Sequence, residues 1–275
     1  MTRLTQELVS GLGASLPELD GELIRITGLG LRGLALASIG MPANHVFPIG
    51  TKVAAVPMTS GLGRISGFTE TLASISKHIG LESFVTKESD VAGIREAYGL
   101  SADVLLMADD NAFVAVSAKK KVIADNSECT ALGYMEALQR AAGSIGREEI
   151  LVIGAGPLGM NAIRLILERG MRVRVVERNP RILRSITRDM GLEAHMLLEE
   201  ALVNARFIFN ASPAPIHGNL VRENAILANP GVPLDIDEMT RKRCKAIIHD
   251  PLAIGTAVML AKVLATHKNA ENGKP

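Results

Sequence analysis

The sequence predicts an α/β protein of two lobes. A C-terminal Rossmann domain with a doubly wound parallel sheet follows an N-terminal lobe of helices and α/β units. Three observations predict this fold. Ile150–Asn161 carries a glycine-rich turn between an apolar run and a helical pattern, strand and helix patterns alternate on both sides of it, and Gly143–Gly146 forms a hinge-like joint. We expect the lobes at 1–145 and 146–265, followed by a disordered tail at 266–275.

The glycine-rich turn has the spacing Gly-x-Gly-x-x-Gly. Gly154 allows the tight turn, Gly156 lets the backbone approach a pyrophosphate, and Gly159 lets the helix pack closely on the strand. Glu177 ends the next apolar run, roughly 20 residues on, where a carboxylate binds ribose hydroxyls and favours NAD over NADP. Arg178 follows, so NADP stays open, although this side chain could also stack on the adenine. A glycine turn that binds no nucleotide is the alternative.

Other parts of the second half are expected to complete the cofactor site. The start of the helix at Pro157 and Leu158 should face the phosphates, with the free backbone N–H groups that follow Pro157 as donors. The loop Asn210–Pro213 should cross the riboses, and Asn229–Pro233 should pass under the nicotinamide, unless both are ordinary loops. The predicted cofactor-binding residues are Gly154, Gly156, Pro157, Leu158, Gly159, Glu177, Arg178, Asn210, Ala211, Asn229, Pro230 and Gly231.

The first half predicts a parallel sheet of its own. After helical patterns up to about residue 50, apolar strands at Val53–Pro57, Ser83–Thr86 and Val104–Ala108 alternate with helices. The turn after the first strand holds Gly61, Gly63 and Gly67, but their spacing departs from the nucleotide fingerprint. We therefore expect this turn to place backbone N–H groups and the hydroxyls of Thr59 and Ser60 around a small substrate, with a plain turn as the alternative.

Polar residues at the end of the third strand are candidates for substrate binding. Asp109 and Asp110 follow the apolar run directly, and ligands gather at the carboxyl ends of parallel strands. A carboxylate there can anchor a cationic amine, whereas for Asp110 we favour the capping of a turn. Asn126 lies before a connecting helix at Thr130–Ala142 and either donates to a substrate carboxylate or forms an Asx turn.

Composition excludes several other classes of function. The net charge of +1 over 275 residues gives no electrostatic case for nucleic acid or an acidic membrane surface. No secretory signal or membrane-spanning run is visible, and two distant cysteines fit a cytoplasmic protein. Six scattered histidines predict no metal site, and no Gly-x-Ser-x-Gly elbow is present. These patterns favour hydride chemistry on a small-molecule substrate. The sequence leaves open whether the chain forms a homodimer.

Several segments together resemble the pyrrolysine synthase family, the NAD-dependent dehydrogenases that complete pyrrolysine biosynthesis. The resemblance runs from about Leu4 to Leu264, and the Ser-Gly turn and the Met-Ala-Asp-Asp strand end are its most specific parts. This chain departs from the family pattern in its tail and in some loop lengths. The segments are Val56–Gly61, Leu106–Asp110, the Gly154 fingerprint, Asn229–Pro233 and Pro251–Ala257.

The resemblance implies a substrate in which 3-methyl-D-ornithine is joined to the side-chain amine of L-lysine. Its terminal amine carbon would give a hydride to NAD, the imine would lose ammonia, and the α-amine would close the ring with loss of water. Asp109 would hold the ammonium group and is, besides solvent, the candidate base. Phe68 and Leu4 would supply apolar contacts, Leu4 from a mobile helix, and Asn126, Thr59 and Ser60 would bind polar ends of the substrate.

Three other interpretations stay open at the level of sequence. The first is another two-lobed oxidoreductase of amino-acid type, such as a shikimate dehydrogenase-like or imine-reducing enzyme. The second is a lyase resembling ornithine cyclodeaminase, which returns its hydride to the product. The third is a non-catalytic regulator that senses NAD, although no basic recognition helix or partner-binding segment accompanies it.

Overall fold

The computed structural model describes residues 4–61 and 64–265. The predicted tail at 266–275 and Gly63 of the first glycine-rich turn lie outside the described residues. No helix within the described ranges is long and apolar enough to cross a membrane. The described chain folds into two α/β lobes, which meet along two helices.

The C-terminal lobe confirms the predicted Rossmann domain. Its six strands are all parallel in the order β11-β10-β9-β6-β7-β8, which by chain order within the lobe reads 6-5-4-1-2-3, the doubly wound arrangement. Five of these strands were predicted, whereas the sixth, β8, is only two residues long. The elements are β6 (Glu149–Ile153), α7 (Pro157–Glu168), β7 (Arg172–Val176), α8 (Pro180–Met190), β8 (Ala194–His195), α9 (Leu198–Leu202), β9 (Phe207–Asn210), β10 (Ala225–Ala228), α10 (Glu238–Arg243) and β11 (Cys244–Ile248).

The N-terminal lobe has a mixed sheet, in which the three predicted strands are parallel as expected and two further strands that were not predicted are antiparallel. Strands β2, β1 and β3 are parallel, but β4 and β5 add to β3 as an antiparallel meander in the order β2-β1-β3-β4-β5. The elements are α1 (Gln6–Val9), α2 (Leu12–Thr27), α3 (Leu31–Ser38), β1 (Lys52–Val56), α4 (Phe68–His78), β2 (Glu82–Val85), α5 (Asp90–Gly99), β3 (Val104–Ala108), β4 (Phe113–Ser117), β5 (Ile123–Asp125) and α6 (Asn126–Ala142).

Two helices join the lobes. Helix α6 packs on α7 of the C-terminal lobe and on α2 and α3 of the N-terminal lobe. The last helix, α11 (Ala253–Leu264), packs on α6, α3, α4 and strands β4 and β5. At Gly133 of α6 a Cβ would lie 2.5 Å from Ile254 Cγ2, so glycine permits the close approach of α6 and α11. By packing, α11 lies with the N-terminal lobe, whereas from its position in the sequence it was expected in the second domain.

Candidate active site

A cavity of about 1000 Å³ lies between the two lobes. This volume is at the upper end of the range for ligand pockets. The C-terminal ends of β1 and β3 face it from the first lobe, and those of β6 and β7 face it from the second. The starts of α6, α7 and α11 complete its walls. Since the strand order of the Rossmann sheet reverses between β6 and β9, this is the crevice where such sheets bind ligands.

The glycine-rich turn has the geometry that a dinucleotide requires. Gly154 adopts a φ of +86°, in the left-handed region that favours glycine. A Cβ at Gly159 would overlap the carbonyl oxygen of Gly154, so only glycine lets α7 start this close to β6. A Cβ at Gly156 would meet no heavy atom within 4 Å. Gly156 and the neighbouring Pro157 and Leu158 line the cavity, so the turn leaves room for a phosphate group beside its backbone.

Glu177 supports the glycine-rich turn from the end of β7. Its Oε2 accepts a hydrogen bond from the backbone N–H of Ala155 at 2.7 Å, and its Oε1 accepts one from Asn179 N–H at 2.7 Å. Each carboxylate oxygen has a second lone pair, so the group can still accept from a ribose hydroxyl. Arg178 lines the cavity with an exposed side chain. Glu177 thus contacts the turn and lines the cavity beside it.

The loops after β9 and β10 are tied together by two buried asparagines. Asn210 and Asn229 are 2% and 1% exposed, and Asn210 Nδ2 donates to Asn229 Oδ1 at 2.8 Å. Neither asparagine lines the cavity, whereas Ala211, Pro230 and Gly231 do. The two asparagines therefore hold the loops in position from below, and the backbone and small side chains of the loops face the crevice.

An apolar pair after β8 was missed in the sequence. Met196 and Leu197 are 50% and 54% exposed, yet both line the cavity next to Leu198 and Leu202 of α9. Apolar side chains that stay exposed at the mouth of a pocket suit a flat ring. The sequence did not predict their place at the cavity, because the two-residue strand β8 before them is too short to be recognised from a pattern.

Asp109 is the first residue of the hairpin turn that joins β3 to β4. Its Oδ1 accepts the N–H groups of Asn111 and Ala112, both at 2.8 Å, and the Ser60 hydroxyl donates to its Oδ2 at 3.4 Å. The backbone N–H of Ala112, then that of Asn111, holds the pKa of the Asp109 carboxyl below its usual range. Asp109 lines the cavity as an ionised carboxylate, which suits an anchor for ammonium.

Of the two predicted hydroxyls, that of Ser60 bonds to Asp109 and that of Thr59 bonds to Asp90. Thr59 donates from its hydroxyl to Asp90 Oδ2 at 2.5 Å and from its N–H to Asp90 Oδ1 at 2.8 Å. Neither Thr59 nor Ser60 lines the cavity itself. Asp110 lines it and lies against Gly61, where a Cβ would overlap the Asp110 carboxylate. Ser60 thus lies behind Asp109, and Thr59 orders the loop through Asp90.

The apolar wall predicted for the substrate is present. Leu4 and Phe68, the first residue of α4, both line the cavity. Phe68 packs edge-to-face on Phe113 with their ring centroids 5.7 Å apart. Phe113 lies on β4, the unpredicted strand, and also lines the cavity. The hairpin that carries Asp109 therefore also supports the apolar wall.

Asn126 is the first residue of α6 and lines the cavity. The expectation that it precedes the helix was wrong, because the helix starts four residues earlier than Thr130. Asp125 supplies the cap by accepting from the N–H of Ser127 at 2.8 Å. Asn126, Thr130 and Tyr134 follow at helical spacing, and all three line the cavity. They form a polar stripe that faces the start of α11.

Comparisons with known proteins agree with this architecture. Residues 11–124 match the family described as "Pyrrolysine biosynthesis protein PylD, N-terminal domain", and residues 149–228 match "Pyridine nucleotide-disulphide oxidoreductase". The shikimate dehydrogenase of Aquifex aeolicus superposes with a TM-score of 0.52 at 12% identity, over 80% of this chain and 94% of that one. A quinate dehydrogenase from Corynebacterium glutamicum, solved in complex with NAD, gives 0.50 at 11%, over 78% and 93%. These structures show a shared fold.

Two relatives resemble the chain along almost its whole length. The pyrrolysine synthase of Methanosarcina acetivorans is 33% identical over 269 residues, which cover 96% of this chain and 100% of that protein. The pyrrolysine synthase of Methanosarcina barkeri is 32% identical over 267 residues, covering 96% and 98%. With this identity over both lobes and the two-lobed dehydrogenase fold, the chain belongs to the pyrrolysine synthase family.

Proposed function

We propose that this chain oxidises the terminal amine of 3-methyl-D-ornithyl-N6-L-lysine to an imine, with NAD as the oxidant, and so forms pyrrolysine. Water replaces the imine nitrogen and releases ammonia. The α-amine then attacks the same carbon, and the water leaves as the pyrroline ring closes. Over the whole reaction the substrate loses one ammonia and one hydride, and the remaining protons pass to solvent.

The observation that carries this proposal is the placement of Asp109 in the same crevice as the dinucleotide turn. Gly154 and Gly156 line one side of the cavity, and Asp109 lines the other. An ionised carboxylate attracts the terminal ammonium of the substrate, and the apolar wall of Leu4 and Phe68 accepts the methylated carbon chain. The reacting carbon is thereby held between the two lobes.

The fixed geometry is what the protein supplies to the reaction. NAD, when bound, accepts the hydride at its nicotinamide ring. Asp109 sets the position of the amine, and its turn hydrogen bonds to Asn111 and Ala112 prevent the carboxylate from moving. Correct placement of two reactants removes much of the entropic barrier, about 7–11 kcal/mol in well-oriented cases. The polar stripe led by Asn126 is positioned to bind a polar end of the substrate.

We place the reaction in the cytoplasm. Cys129 and Cys244 are free thiols, which persist in a reducing compartment. Burial raises the pKa of Cys129 to about 12 and that of Cys244 to about 11, so both are protonated at neutral pH. Neither cysteine is therefore a nucleophile for the substrate.

Incubation of the protein with NAD and the lysine–methylornithine conjugate tests the proposed function. We expect NADH to accumulate with turnover, and mass spectrometry to show a product lighter by the mass of one ammonia and one dihydrogen. A cyclodeaminase-like lyase would yield product without NADH, and a regulator would yield neither. Shikimate in place of the conjugate is the control, and its faster oxidation would contradict the assignment.

Glu177→Ala is expected to weaken NAD binding and to relax discrimination against NADP. The change removes acceptors for ribose hydroxyls and a negative charge that repels a 2′-phosphate. Loss of a hydrogen bond to a charged group corresponds to roughly 10- to 100-fold in affinity. Titrations followed by nicotinamide fluorescence with NADH and NADPH measure both effects.

Glu177→Gln separates the two roles of this side chain. The amide oxygen can still accept the N–H of Ala155, so the glycine-rich turn keeps its support. We expect this variant to bind NADPH better than the wild type does. Unchanged affinities for both cofactors in both variants would remove Glu177 from the site.

A further inference from the structure

The wall of the cavity includes a buried acidic residue, Asp250, for which the sequence predicted no role. Asp250 follows β11 by two residues and is 6% exposed, yet it lines the crevice together with Pro251 and Leu252. Its Oδ2 accepts the N–H groups of Leu252 at 3.1 Å and Ile254 at 2.9 Å, at the start of α11. This carboxylate lies at the junction between the Rossmann sheet and the helices of the first lobe.

Asp250 lies beside the loop Asn229–Pro233, which was expected to pass under the nicotinamide. Ala228 of β10 pairs with Ile248 of β11, so the chain segments that follow them run side by side. His249 Nδ1 lies 2.7 Å from the carbonyl oxygen of Asn229, and Asn229 leads into Pro230 of that loop. The reacting carbon of a bound substrate must also lie at the nicotinamide, because a hydride moves only over a short distance.

Tyr134 of α6 fixes the backbone of Asp250 by two hydrogen bonds. The Tyr134 hydroxyl donates to the carbonyl oxygen of Asp250 at 2.5 Å and accepts its N–H at 2.7 Å. Burial raises the pKa of Tyr134 well above its usual range, so the phenol stays neutral. Tyr134 and His249 are the titratable groups beside Asp250 in the part of the chain that the structure describes. The two hydrogen bonds to Tyr134 hold the backbone of Asp250 in place at the cavity wall.

We propose that Asp250 accepts the proton that the terminal ammonium of the substrate must lose before oxidation. This proposal rests on the function proposed above. The N–H bond breaks, its electron pair stays on nitrogen, and the proton forms a carboxylic acid on Asp250. The neutral amine carbon then gives its hydride to the oxidised nicotinamide and becomes an iminium, while Asp250 returns its proton to solvent.

The carboxylates of Asp109 and Asp250 differ in the way that this division of roles requires. The backbone N–H groups of Ala112 and Asn111 lower the pKa of Asp109, which favours a permanent anion and an anchor. Burial raises the pKa of Asp250 above its usual range, despite the N–H groups of Ile254 and Leu252, which lower it. A carboxylate with a raised pKa is the stronger proton acceptor.

Asp250→Asn tests this inference. The amide oxygen can still accept the two N–H groups of α11, but it does not take up a proton. We expect kcat to fall by about 10²- to 10⁴-fold with little change in NADH affinity. We expect the wild-type kcat to fall on the acid side of its pH profile, as Asp250 becomes protonated, and this fall to be absent from the residual activity of the variant. A residual rate within about twofold of the wild type, with the same acid limb, would overturn the proposal.

Two further variants complete the test. Asp20→Asn is the matched control, because Asp20 accepts the N–H of Leu31 at the start of α3 and does not line the cavity. We expect this variant to keep the wild-type pH profile. If Asp250→Asn shows no cooperative thermal transition, Asp250→Glu is tested in its place. For that variant, an acid limb of the kcat profile at the same pH as in the wild type contradicts the inference. If the wild type forms no NADH with the conjugate, the proposed function fails instead.

Discussion

Asp109→Ala is expected to abolish measurable turnover while NADH binding survives. The substrate ammonium loses its anchor, and misplacement of a reacting group by about 1 Å is enough to cost about 10²-fold in rate. The residues proposed to bind the cofactor lie on the other lobe, so the affinity for NADH should stay close to that of the wild type. Steady-state formation of NADH with the conjugate, together with a fluorescence titration of NADH, measures both effects.

The double role of Asp109 calls for a second variant. Asp109 Oδ1 also holds the hairpin turn through Asn111 and Ala112, so the alanine change loosens the turn as well as removing the charge. Asp109→Asn keeps an acceptor for these N–H groups and lacks only the charge. We expect it to be nearly as inactive as the alanine variant, with a thermal midpoint close to that of the wild type.

Asp189→Ala serves as the surface control for this pair. Asp189 is an exposed carboxylate on α8 that pairs with Arg188 and lies outside the cavity. Its loss should leave kcat and KM unchanged. Near-normal turnover in Asp109→Asn would show that the anchor is another group, and the orientation of substrate proposed here would have to be abandoned.

The Rossmann lobe could be predicted because its signals are local. Parallel strands buried on both faces are continuous apolar runs, as in Ile150–Ile153 and Phe207–Ile208. Gly154 needs a positive φ, and Gly159 must avoid the carbonyl oxygen of Gly154 five residues before it, so both requirements arise within the turn. Such features depend on the immediate chain rather than on distant partners, so the glycine spacing together with the flanking strand and helix patterns identifies them.

The first lobe was predicted less completely because its hairpin was not recognised. Phe113–Ser117 does alternate between buried and half-buried residues, which is typical of an antiparallel strand. The run is only five residues long and follows Asp109–Asn111, which looked like the end of an apolar strand. The turn chemistry of Asp109, which accepts two N–H groups of its own loop, was the signal that could have predicted the meander.

The part of the site that the sequence did not predict depends on packing between distant segments. Asp250 is buried because α6 and α11 approach closely at Gly133, more than a hundred residues away in sequence. Asn210 and Asn229 looked like cofactor contacts because they end strands at the crevice. Their amides instead bond to each other below its surface. No local pattern indicates whether a polar side chain at a strand end points into the crevice or under it.

Gly156→Ala is expected to abolish cofactor binding without harming the fold. The added methyl group meets no protein atom within 4 Å, and Gly156 has a φ of −66°, which alanine adopts readily. The same space, however, is where the pyrophosphate would approach the backbone. We expect the thermal midpoint to stay within about a degree or two of the wild type, while the Kd for NADH rises at least about tenfold.

Two other glycines make this result interpretable. Gly159→Ala drives a methyl group into the carbonyl oxygen of Gly154, so it should destabilise the fold by about 1–3 kcal/mol as well as weaken binding. Gly21→Ala, in the middle of α2 with open space beside it, should raise stability by up to about 1 kcal/mol and leave NADH binding unchanged. A stable Gly156→Ala that binds NADH normally would show that the pyrophosphate does not lie on this turn. The assignment of a dinucleotide to this crevice would then fail, because the open space at Gly156 is where the proposed pyrophosphate must approach the backbone.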